Sequence, residues 1–155
     1  MPDIQQQLAR YDLYDSAILR HGFAPYMRDY EIITELFDNG RPGVSPGVYR
    51  CCFTHCVEAE VTTCIRDEVW PESWDDVNLD RDRWEQQGGG GFLWAVSWAS
   101  VDAVPTCDEN PTRAAEWTRR LGKPMHEVRI GTNVYLLRLV FHDLTVERLA
   151  EPTAS

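Results

Sequence analysis

The sequence predicts an α+β fold: a single domain built on a curved antiparallel sheet of about six to seven strands, with two inserted helices near 73–87 and 111–121. Three observations carry this. Val134 to Phe141 is apolar at every position except Arg138, Val48 to Ile65 alternates with period two, and two segments carry helix start and stop signals. A chain of 155 residues is most simply one domain.

Residues 4 to 12 read as a short helix in an N-terminal arm (1–12). Asp15 to Phe23 and Tyr30 to Leu36 read as strands, the second with Tyr30, Ile32, Thr34 and Leu36 on one face. Asp38 to Gly47 is rich in Gly and Pro and reads as a loop. In Val48–Ile65 the odd positions, from Tyr49 through Phe53, His55 and Val57 to Ile65, are mostly apolar, and most even positions are polar. That length exceeds the usual strand maximum of about 10 residues, and the unbroken parity predicts a bend within it.

Ser73, with Asp76 three positions on, suggests a helix N-terminus, and Gly88 ends that helix before the four glycines at 88–91. Phe92 to Ala99 alternates bulky and small residues as a strand does. Asn110 is the expected N-cap of the second helix, with Pro111 at its first position. That helix covers Thr112 to Leu121, buries Ala114, Trp117 and Leu121, and stops at Gly122. His126, Val128 and Ile130 suggest a strand, Gly131–Thr132–Asn133 a tight turn, and Val134–Phe141 a returning strand buried on both faces. Leu144 to Leu149 extends the sheet, and 150–155 is a frayed tail.

Composition excludes several classes. With 43% hydrophobic residues, six Trp, six Tyr and five Phe, the chain is not disordered. No apolar stretch reaches the roughly 20 residues of a membrane-spanning helix. Met1 to Gln7 has neither a basic nor an apolar leader region, and five cysteines make no disulfide framework, so a cytoplasmic setting is expected. The net charge of −10, with Lys123 the sole lysine, argues against nucleic acid and anionic membranes and allows a basic protein partner.

Candidate sites follow from residue type and placement. Cys51, Cys52 and Cys56 read as core thiols: on an extended strand Cys52 and Cys56 lie about 13 Å apart, at roughly 3.3 Å per residue, too far to share a metal. No cofactor or metal pattern is present. An enzyme of this sequence would draw on His21, His55, His142 and Asp143. His142 and Asp143 are adjacent in a strand and face opposite ways, so acid–base work needs a further partner such as His21, Asp29 or His55. The segment 67–85 holds eight acidic residues against Arg81 and Arg83 and supplies −6 of the net charge. Trp70, Trp74, Asp75, Asp76, Asp80, Asp82 and Trp84 form its candidate partner-binding surface.

The residues Leu19–Phe23, Arg28–Asp29–Tyr30, Phe53–Cys56, Ser73–Asp76, Trp94, Trp98 and Phe141–Leu144 together resemble the YxiG-like proteins of bacteria, over about residues 13 to 147. The resemblance implies a bacterial cytoplasmic single-domain protein and a role in toxin neutralisation, as in immunity proteins. It supplies no catalytic residue, and the chain departs from the family's pattern around Ser100 to Cys107. The leading expectation is a non-enzymatic binding protein that presents acidic and aromatic surface to a basic protein. A small hydrolase or lyase using histidines in an aromatic pocket is the alternative, and a structural accessory protein without a ligand is the third.

Overall fold

The computed structural model describes residues 3–38, 40, 42–64, 73–74, 82, 85–86, 88, 92–93 and 99–153. Helix α1 (Ile4–Tyr11) opens where the Gln6 side chain reaches back to the Asp3 N–H, and it closes at Asp12, whose left-handed backbone returns its N–H to the Leu8 carbonyl. Ile4 and Leu8, four apart on one helical face, are both buried in the main core, so this arm is docked.

Strands β1 (Ala17–Phe23), β2 (Tyr30–Leu36) and β3 (Gly47–Thr54) form an antiparallel meander. The alternation expected for β2 holds: Tyr30, Ile32, Thr34 and Leu36 are all buried. Short strand β7 (Ala99–Ser100) flanks β1, and β11 (Asp143–Ala150) flanks β3, giving a five-stranded sheet ordered β11-β3-β2-β1-β7. A second sheet, ordered β4-β10-β9-β8, comprises β4 (Glu58–Thr63), β8 (Thr106–Cys107), β9 (His126–Gly131) and β10 (Tyr135–Phe141). The α+β class therefore holds, with nine strands divided between two antiparallel sheets.

The division comes from two long strands that bend. β3 runs into β4 across His55–Cys56–Val57, and β10 runs into β11 across His142 alone. Hydrogen bonding continues through both bends: the His142 N–H donates to the Thr54 carbonyl (2.8 Å) and the Val57 N–H to the Val140 carbonyl (2.9 Å). Each bent strand serves both sheets, as at the corners of orthogonal β-packings. This is the bend expected within Val48–Ile65, and it displaces the parity: Cys56, not His55, takes the buried position after Phe53.

Between the sheets, Ile32, Cys51 and Phe53 meet Val128, Ile130, Leu137, Leu139 and Phe141. The Phe53 and Phe141 rings pack edge to face at 4.9 Å. On the other face of the second sheet lies helix α2 (Thr112–Leu121), where Ala114, Met125 and Val140 form a small cluster with Val57 and Trp117. β10 is thus buried on both faces over Leu139–Phe141, whereas Leu136, further from the helix, is 39% exposed. Helix α2 has the expected extent and ends at left-handed Gly122 (φ 67°). Two details differ. Pro111, not Asn110, is its N-cap, and the Asn110 N–H is held by the Asp108 carboxylate (3.0 Å) in the loop before it. Leu121 is exposed, since it lies beyond the turn of helix that meets the sheet.

The helix expected from Ser73 does not begin there. Ser73–Trp74 is an extended strand (β5) paired in parallel with Phe92–Leu93 (β6). The incomplete capping box loses to strand pairing at an aromatic residue that favours it. Asp82, Glu85 and Gln86 are helical; the rest of 75–87, and the expected strand residues 94–98, lie outside the described residues. At the C-terminus, Thr153 is tied down by its N–H and hydroxyl to the Glu35 carboxylate, so the expected tail is anchored that far. No helix of the described residues is long and apolar enough to cross a membrane.

Candidate functional site at the sheet corner

The two bends lie side by side and bring two of the expected histidines together. His55 takes the left-handed conformation (φ 46°) that lets β3 turn into β4. For a residue with a Cβ this conformation is uncommon and needs outside support. That support comes from the loop of the β1–β2 hairpin. The Asp29 carboxylate accepts the His55 N–H (3.0 Å), and the Arg28 carbonyl accepts the Cys56 N–H (2.8 Å). Asp29 is itself buried and also accepts hydrogen bonds from the Arg28 guanidinium (3.0 and 3.2 Å) and the Tyr26 hydroxyl (2.9 Å). The guanidinium, reinforced by the His55 and Tyr26 donors, outweighs burial and holds the Asp29 carboxyl down at about 2.

The His55 ring meets the His142 ring edge to face at 5.9 Å. His142 places Nδ1 2.7 Å from the Pro124 carbonyl. A carbonyl only accepts, so Nδ1 carries the hydrogen and Nε2 is the free nitrogen. His55 Nδ1 is buried without a hydrogen-bond partner. Desolvation, then the charges of Lys123 and Arg28, push the His55 imidazolium below its ordinary range. His126, whose ring lies 6.0 Å from that of Phe141, is lowered by burial and in smaller part by His142. Asp143 Oδ1 accepts the Leu144 N–H (2.8 Å).

His21 lies apart from this group. Its Nδ1 is 2.6 Å from the Tyr30 hydroxyl and its ring 4.9 Å from that of Tyr135. Burial raises both tyrosines to about 12 and lowers His21, so a protonated Tyr30 hydroxyl faces an imidazole whose neutral form is favoured. Beside it Arg20, Gly22, Phe23, Pro25 and Glu31 line a depression of about 240 Å³. Arg20 there is paired with Glu31 (2.8 Å).

Cys51, Cys52 and Cys56 are buried free thiols, and burial pushes Cys51 and Cys56 up to about 12. Among the described residues no group of three His, Cys, Asp or Glu is placed to hold a metal ion. Of the acidic surface, Asp82 is exposed and Trp74 is in β5, while Trp70, Asp75, Asp76, Asp80 and Trp84 lie outside the described residues.

Sequence reasoning passed over a second ionic centre, on the outer face of the four-stranded sheet. Glu58 accepts from Trp117 Nε1 (3.1 Å), Arg113 and Arg138, and Arg138 also donates to Glu127 (3.2 Å) and Glu60 (3.0 Å). Arg113 is the main cause that brings Glu58 down to about 2. The signal was Arg138, the one charged residue inside an apolar run, which needs a partner when its strand is covered.

A search of curated proteins finds no match to the chain. The profile of the YxiG-like proteins matches residues 1–154, almost the whole length, in agreement with the resemblance carried by the short motifs. The chain belongs to the YxiG-like protein family.

Proposed function

We propose that the protein is a cytoplasmic, non-enzymatic binding protein that presents acidic and aromatic surface to a basic protein partner, in the manner of an immunity protein. The observation that carries this reading is the concentration of charge: residues 67–85 supply −6 of a net −10 and are interleaved with Trp70, Trp74 and Trp84. Opposite fields speed encounter and select partners, and aromatic anchors supply most of the affinity once they are desolvated. The positions of Asp82 and Glu85 at the surface support it.

The test is native mass spectrometry on protein purified gently from its own host, alongside a variant carrying Asp75→Lys, Asp76→Lys and Asp80→Lys. A basic protein that co-purifies with the natural chain, dissociates as salt rises and is lost from the variant supports the reading. A partner retained at unchanged affinity by the variant removes the acidic segment from the interface.

The second reading is a small hydrolase or lyase, and the juxtaposition of His55 and His142 favours it. It requires that His55→Ala and His142→Ala each abolish turnover of one common substrate while the fold is retained.

A further inference from the structure

A free sheet edge invites pairing with another chain, and proteins blunt such edges with bulges, very short strands, lysine, proline or a covering element. Of the outer strands of the two sheets, all but one carry such a device. β7 and β8 are two residues long, and the Cys107 N–H of β8 is taken by Gln5 Oε1 from α1 (3.0 Å). β11 breaks register between Arg148 and Ala150 and has α1 beside it. β4 has none of these devices. It pairs with β10 in unbroken register from Glu58 to Thr63 and contains neither lysine nor proline. Among the described residues no strand lies on its other side.

The direction of its backbone groups follows from one bond. The Cys64 N–H donates to the Val134 carbonyl (2.9 Å), and these two residues continue the register in which Thr63 faces Tyr135. Opposed residues of an antiparallel ladder alternate between exchanging hydrogen bonds and not. Cys64, Thr62 and Glu60 therefore bond toward β10, and the N–H and C=O of Ala59, Val61 and Thr63 point to the open side. Val61 faces Leu137, which is fully buried, yet is itself 48% exposed. The edge thus presents backbone donors and acceptors together with an uncovered apolar side chain.

A second β4 satisfies both. In a two-fold antiparallel pair, outward-pointing residues face one another, so the axis passes through residue 60, 61 or 62. Charge and length choose among them. An axis at Glu60 sets that carboxylate against its own copy, and like charges directly opposite are destabilising. An axis at Thr62 carries Ala59 past the end of the facing strand. An axis at Val61 sets Glu60 opposite Thr62 of the second copy and Ala59 opposite Thr63, brings the two Val61 side chains together, and uses every outward-pointing group. Glu60 also accepts from Arg138 (3.0 Å), which offsets the charge it brings to the edge.

We propose that β4 is a self-association edge: two copies of the chain pair antiparallel through Ala59–Thr63 about a two-fold axis at Val61, joining their four-stranded sheets into one continuous sheet. About six main-chain hydrogen bonds cross the junction. One pair of strands makes a small interface, so the dimer is reversible and depends on protein concentration.

The experiment is disulfide trapping of the full chain in a Cys64→Ser background, which removes the exposed native thiol. Facing residues of a hydrogen-bonded antiparallel pair have Cα atoms about 5.5 Å apart, within reach of a disulfide. Val61→Cys should therefore cross-link to its copy under mild oxidation, and more so as concentration rises. Thr63→Cys, on the same face, should not, because its copy stands about 13 Å away along the strand. Sedimentation of the natural chain should show an average mass that climbs from one chain toward two. Val61→Lys sets like charges against each other at the axis and should hold the mass at one chain, with the unfolding transition unchanged. A Val61→Cys yield no greater than that of Thr63→Cys, a natural chain that stays monomeric at every concentration, or undiminished association of Val61→Lys would overturn the proposal.

Discussion

Asp29→Asn is the most direct test of how the corner is held. Asparagine keeps the shape of the side chain and one acceptor for the His55 N–H, but it removes the charge that faces Arg28 and adds an amide N–H toward that guanidinium. In the folded chain the Asp29 carboxyl stands at about 2, against 3.8 when free. That difference corresponds to about 2 kcal/mol of stability at neutral pH. The Asp29 side chain is only 4% exposed, so solvent screening does not erase this value. Because the folded value is depressed, the contribution is present above about pH 4 and is lost as pH falls toward 2, with about half gone by pH 3. Urea unfolding of the natural chain and the variant at pH 7 should differ by about 2 kcal/mol, and the gap should shrink to about 1 kcal/mol at pH 3. On heating at neutral pH the same loss lowers Tm by about 4–8 °C. A gap that is absent at pH 7, or constant between pH 7 and pH 3, would refute the view that an ionised Asp29 holds the bend.

Glu58→Gln should cost about 2 kcal/mol at neutral pH, since Glu58 is also held at about 2 and its side chain is 19% exposed; α2 should then lose hydrogen-exchange protection ahead of the main core. Phe141→Ala should cost about 3–5 kcal/mol, because the ring is fully buried against Phe53 and leaves a cavity; chemical denaturation measures this directly. His21, His55 and His126 are all lowered in the folded chain, so each should titrate below 6.5 by NMR. A lowered histidine favours its neutral form. These three therefore contribute stability above about pH 6.5 that is lost as pH falls through their folded values, and thermal midpoints measured between pH 8 and pH 5 should decline on the acidic side.

Much of the architecture was legible because it is locally encoded. The parity of Tyr30–Leu36, the Gly131–Asn133 turn between β9 and β10, and the Gly122 stop each depend on residues within a few positions of one another. The position of the first bend was not legible. Nothing beside His55 marks it for a positive φ, since the group that supports it, Asp29, lies 26 residues earlier. The excess length of Val48–Ile65 announced a bend but not its place. The start expected at Ser73 failed for a related reason: its partner, Phe92–Leu93, lies in a distant segment that local capping rules do not see. At the site, the pairing of His55 with His142 was not legible because it depends on two bends coinciding.

The two bent strands also bear on how the chain acquires its structure. A protein whose sheets are built from separate strands can form one sheet and add the other. Here β3–β4 and β10–β11 each belong to both sheets, and the contact that closes the corner joins Thr54 to Asp143 across 89 residues of sequence. Neither sheet can be completed until that long loop has closed, and loop closure is where chains rich in distant contacts lose time. The domain should therefore fold slowly and in a single step, and the last residues of β11 must be free to move before either half gains lasting order. A nascent chain still lacking β11 would hold β3 with an unpaired edge, the condition in which strands recruit neighbours.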